Sequence, residues 1–167
     1  MTAPPPGPQL RSLPPAVPLG RLRLEVGPVA ERHPDRDGER LLVPVTGGEL
    51  STASWRAVVL GGVDRALRRP DGSMRLDVTL ELRGDDAAAM TLRYHGIRVG
   101  DPAALRALED GAPVSTGAYT LHVAGVLEHA GAPDLDARVV VGTGTRPPGG
   151  PVYDLHLLDR HVRPAGR

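Results

Sequence analysis

Three side chains in this 167-residue chain have the types and settings that proton-transfer chemistry needs: Asp64 in VLGGVD, and His95 and Arg98 in HGIRVG. Asp64 follows Gly61-Gly62, where a backbone bend at a strand end can aim a carboxylate into a cavity mouth. Arg98 closes another strand-like run. The two are expected to meet as a bidentate pair, serving either as a lock between two loops or as a ligand contact. His95, with an ordinary pKa of about 6.5, is acid or base near neutrality after small shifts. In a catalytic reading Asp64 or His95 moves the proton and Arg98 stabilises a developing oxyanion.

The elements that must position these residues run from Ala57 to Val99. Met74, Leu76, Val78, Leu80 and Leu82 alternate with Arg75, Asp77, Thr79, Glu81 and Arg83, a period of two that predicts a half-buried strand. Met90, Leu92 and Tyr94 alternate with Thr91, Arg93 and His95 on the next. Pro70-Asp71-Gly72 and Gly84-Asp85-Asp86 supply the turns. Asp77, Thr79 and Glu81 then share a face with Thr91, Arg93 and His95 across the pair. Facing outward, it is a solvated face with ion pairs worth about 1 kcal/mol at most. Facing a barrel lumen, it is a polar pocket containing Asp77 and His95. The leucines on the alternate positions make outward the default.

The remaining candidates are aromatic or imidazole. His122 could project toward the side of His95, in a strand shared with Tyr119. Trp55, Tyr94, Tyr119 and Tyr153 are so few that each is either a pocket wall or plain core. Metal is not expected, because no His-x-His or HExxH spacing occurs. Gly142-Thr143-Gly144 imitates a dinucleotide turn, but Pro147-Pro148-Gly149-Gly150 cannot open the helix that would receive a pyrophosphate. No GxSxG nucleophile elbow is present.

Along the chain, residues 1–19 carry seven prolines and read as an extended segment. Strands are predicted at Arg21 to Val26, Leu41 to Val45 and Trp55 to Leu60, the last closed by Gly61-Gly62, with a short run from Val63 to Leu67. The charged stretch Glu31 to Gly38 reads as a loop. After the meander one helix is predicted, capped by Asp101, opened by Pro102 and ended by Gly111. It is placed over one end of the sheet. Strands resume at Ala118 to Leu127, Ala137 to Val141 and Val152 to Val162. Many strands, one helix and frequent Gly/Pro turns read as an all-β barrel or a two-sheet sandwich. The architecture expected is one all-β domain over 20–162, an antiparallel, calycin/lipocalin-like closed barrel with one short helix, followed by a tail over 163–167.

Composition removes whole classes of chemistry. With no Lys and no Cys, Schiff-base, P-loop and thiol mechanisms are excluded. Net charge is zero, and there are no Phe, one Trp and three Tyr, which argues against nucleic acid. No apolar run reaches the roughly 20 residues of a membrane span, and no signal peptide is apparent. A soluble cytoplasmic protein is expected.

EVGP, VPVTGGEL, VLGGVD, RPDGSMRLDVTLEL, GDD, HGIRVG and VGTGTR fall in an order that resembles the UPF0311-like bacterial family known as domain of unknown function 3237 (DUF3237). The resemblance runs from about Leu22 to Leu158. It implies a small, often self-associating β-barrel with a central cavity, no cofactor established for the family, and a role on a small metabolite. The chain departs from the family pattern in having Arg65-Ala66 after Asp64, His95 in place of an asparagine, and few aromatics near Tyr119. The expected function is a cofactor-free isomerase or cyclase of secondary metabolism. Its substrate would be a hydrophobic, polyketide-like small molecule, with Asp64, His95 and Arg98 catalytic and Trp55, Asp77, Tyr94, Tyr119 and His122 binding. The alternatives are a non-catalytic small-molecule carrier and a self-associating accessory protein; a homodimer is expected.

Overall fold

The computed structural model of the chain describes residues 13–159. The predicted 1–19 segment and the tail over 163–167 therefore lie wholly or mostly outside the described residues. Among the described residues nine strands run in order: β1 (Ala16–Val26), β2 (Glu31–Asp35), β3 (Gly38–Thr52), β4 (Arg56–Arg68), β5 (Met74–Gly84), β6 (Ala89–Gly100), β7 (Tyr119–His129), β8 (Arg138–Thr145) and β9 (Val152–Leu158). A helix α1 (Pro102–Glu109) and a single 3-10 turn at Thr116–Ala118 separate β6 from β7. All pairings are antiparallel. Because β1 pairs with both β9 and β3, eight strands close into a barrel and β2 hangs on the edge of β3. Closure leaves no open edge in the barrel itself.

Alternation decides what faces inward. Leu76, Val78, Leu80 and Leu82 on β5, Met90, Leu92 and Tyr94 on β6, and Leu121, Val123 and Leu127 on β7 are all buried. Leu22, Leu50, Leu80, Leu82, Leu92 and Leu127 are essentially inaccessible, each worth about 1.5–3 kcal/mol of burial. They fill the middle of the barrel. The cavities bordering this core lie toward its ends.

Several expected boundaries are corrected. Glu31 to Asp35 is a strand, not a loop; lying outside the barrel with both faces wet, ERHPD carries no apolar alternation to announce it. The first strand starts at Ala16, inside the segment expected to be extended coil. The strand at Leu41 continues past Gly47-Gly48 to Thr52. Most consequentially, Gly61-Gly62 does not end a strand. Val59 pairs with Leu82 and Gly61 with Glu81, so Leu60 is an extra residue, a bulge within one long β4. The bulge reverses the alternation. Ala57 and Val59 face inward before it; afterwards Gly62 pairs opposite inward Leu80 and Asp64 opposite inward Val78. Gly62 is required there, since a Cβ would sit 2.3 Å from the Thr79 carbonyl oxygen.

Helix α1 forms where predicted. The Asp101 carboxylate accepts from the amides of Ala103 at 2.9 Å and Ala104 at 3.1 Å, Pro102 opens the first turn, and Gly111 follows the end with φ +75°. Its buried Leu105 and Leu108 cover one end of the barrel, here called the mouth.

Candidate functional site at the barrel mouth

Under the helix lies a cavity of about 290 Å³, at the lower limit for small-molecule sites. Its apolar wall includes Val26, Val29, Val43 and Leu121; its polar wall includes Asp64, Arg98, Arg146, Glu109 and Tyr153. Asp64 arrives there because of the β4 bulge. Arg98 is an even-numbered residue of β6, in the inward row of Leu92 and Tyr94. Arg146 continues the inward row of Val140, Gly142 and Gly144 one step past β8.

The Asp64 carboxylate accepts one hydrogen bond, from the Asp77 amide at 3.3 Å. Burial pushes its pKa up to about 7; that amide opposes the rise, the Asp77 charge adds to it, and Arg146 and Arg98 hold it back. A carboxyl with that value is present in both protonation states near neutrality. Burial likewise pushes the Tyr153 hydroxyl up to about 12, so it remains a donor. Tyr94 and Tyr153 meet edge to face, ring centroids 5.5 Å apart. Burial, then the neighbouring Tyr153, raise Tyr94 well above its ordinary value.

The expected Asp64–Arg98 pair is not formed. Arg98, 8% exposed at its side chain, instead gives its Nη2 to Glu109 Oε1 at 2.8 Å, while its Nε is buried without a partner. Glu109 also receives Arg68, Arg68 reaches Glu39, and Glu39 takes Arg32. An alternating chain of charge, Arg32–Glu39–Arg68–Glu109–Arg98, thus ties α1 to the barrel rim. The Arg146 amide donates to the Tyr119 hydroxyl at 2.8 Å, fixing the start of the loop after β8.

The other expected site residues lie elsewhere. His95 and Asp77 occupy the outer parity of β6 and β5, 3.7 Å apart, with side chains 81% and 52% exposed. His122 is exposed on the outer face of β7. The even-numbered core row of β5 fixes this parity, so none of the three reaches the mouth cavity. Trp55 is at the opposite end, its ring 6.5 Å from that of His129. Asp64 and Arg98 are brought together at the mouth; Tyr94 packs on Tyr153, and Tyr119 holds the Arg146 amide without lining the cavity. Glu109, Arg68 and Arg146 were absent from the sequence expectation. Arg146 was findable: it stands on the same parity as Val140, in the VGTGTR motif.

The family profile described as "Protein of unknown function (DUF3237)" matches residues 14–158. A UPF0311 protein from Clostridium acetobutylicum is 33% identical over 93 residues, 55% of this chain and 59% of that protein, so the match spans little more than half of the curated relative. A conserved protein of unknown function from Rhodopseudomonas palustris superposes with TM-score 0.79 at 25% identity, over 89% of this chain and 99% of the other. A β-barrel-like protein from Acinetobacter baumannii gives 0.73 at 25% identity over 95% and 100%. An enzyme from Penicillium herquei gives 0.65 at 16% identity over 90% and 98%, a likeness of fold. Among the described residues no helix is long and apolar enough to cross a membrane.

Proposed function

From the premise that this chain belongs to the DUF3237 family, we propose that it is a cofactor-independent isomerase or cyclase acting on a hydrophobic, polyketide-like small molecule in the mouth cavity. The observation that carries the reading is Asp64, turned into that cavity by the β4 bulge and poised by burial near pH 7 beside two guanidinium groups. As carboxylate, Asp64 takes a proton from a carbon next to a substrate carbonyl. The electron pair moves onto the carbonyl oxygen, where Arg98 stabilises the enolate. Asp64 then returns the proton to a different atom, completing an isomerisation, or to the product of a ring closure that the cavity has preorganised. No redox partner or external nucleophile is needed. An enzyme from Penicillium herquei shares this fold. In this reading His95 has no part, because its ring lies on the outer face.

The test follows solvent deuterium into enolisable polyketide-like ketones by mass spectrometry, with wild type, Asp64→Asn and His95→Ala. Exchange by wild type and His95→Ala, with Asp64→Asn binding but not exchanging, is expected. Binding by all three with exchange by none would instead favour the carrier alternative.

A further inference from the structure

The charges around the mouth do not cancel, although those of the whole chain do. Arg32, Arg68, Arg98 and Arg146 line the cavity. Arg32, Arg68 and Arg98 are neutralised in part by Glu39 and Glu109, which the charge chain shares among them. Asp64 is the remaining acid. The site keeps one excess positive charge when Asp64 is ionised and two when it is protonated. The excess is localised. Among the described residues no carboxylate comes within 4 Å of the Arg146 guanidinium, whose Nη1 is buried without a hydrogen-bond partner; Arg98 Nε is in the same condition. A buried guanidinium nitrogen left without a hydrogen bond is costly, and the planar fork matches carboxylate and phosphate oxygens two at a time.

We infer that the ligand of this cavity is an amphiphilic anion, an apolar body bearing one carboxylate- or phosphate-type oxyanion that Arg146 clamps. The inference rests on the proposed reading that the mouth is the substrate site, and it names the substrate class. The oxyanion lies against the guanidinium wall and the body lies along Val26, Val43 and Leu121. Arg146, with no carboxylate in ion-pair contact among the described residues, receives its charge partner from the ligand; Arg98, already tied to Glu109, is left for the developing enolate.

The test is calorimetric titration of the full chain with three probes of one shape: 2-naphthoate, 2-naphthyl phosphate and the neutral 2-naphthamide. At least one anion should bind wild type about ten-fold or more tighter than the amide, and the tighter anion identifies the oxyanion. Arg146→Met should remove most of that gap while leaving the amide within about two-fold. Equal affinity for all three in wild type, absence of binding by all three, or a gap that survives Arg146→Met would each overturn the inference. If Arg146→Met does not fold, the wild-type comparison decides alone. The outcomes separate from those for catalysis. An anion preference with no Asp64-dependent exchange keeps the clamp and removes the enzyme; exchange on neutral ketones with no anion preference does the reverse.

Discussion

The barrel's two ends are made from the same strands but treat their polar groups differently. At the mouth, Asp64, Arg98 and Arg146 surround a cavity of about 290 Å³, with two guanidinium nitrogens unpaired and a carboxyl pushed up to about 7. At the base, Trp55, Met90 and His129 border a cavity of about 270 Å³. There His129 Nδ1 accepts the Gly131 amide at 3.1 Å, Asp85 accepts the Arg56 amide at 3.0 Å and Asp86 the Ala88 amide at 3.0 Å. Those acids and that imidazole are spent on holding turns. These two cavities are of similar size; hydrogen bonding is what separates them. Polar groups that the protein satisfies stabilise its turns, and groups it leaves unsatisfied are available to a ligand.

The largest effect expected from breaking this contrast is on turnover. Asp64→Asn should lower exchange by about 10²–10⁴-fold, the usual worth of a general acid–base group, with little loss of ligand binding. Next comes pH. The folded-state value of about 7 for Asp64 exceeds the ordinary 3.8, so the native protein holds a proton that the unfolded chain has released. The resulting stabilisation is full below about pH 4 and is lost as pH rises through 7, by at most about 4 kcal/mol. Melting temperature should fall from pH 5 to 8 in wild type and fall less in Asp64→Asn. Glu109→Gln strips Arg98 and Arg68 of their shared carboxylate and should cost about 2–3 kcal/mol in a urea titration. At the base, Trp55→Leu should change stability but leave exchange within about two-fold. On the outer face, Asp77→Ala and His95→Ala should change stability by less than about 1 kcal/mol, since their exposed pair is screened.

Much of the frame was legible in the sequence. The alternation of β5 and β6, the caps of α1 and the all-β class follow from residue periodicity and turn chemistry, which act locally, whereas closure into a barrel rests on the long-range pairings of β1. Parity was harder to read. The Met74–Leu82 core row places Asp77 and His95 outside, and the same alternation carried from Val140 places Arg146 inside. Asp64 is different: its direction depends on an extra residue at Leu60, and a bulge is visible only against the partner strand. The Arg98–Glu109 pair was hidden for a related reason. It joins a strand to the helix folded back over it, and neither residue's neighbours in sequence indicate the contact.

The account depends most on the protonation of one side chain. A carbon-detected NMR titration of the Asp64 carboxyl, assigned by the signal lost in Asp64→Asn, tests it directly. The account predicts a midpoint of about 7 in the ligand-free protein. A midpoint near 4, the value of a solvated aspartate, would contradict the account and leave the mouth without its proton-transfer group.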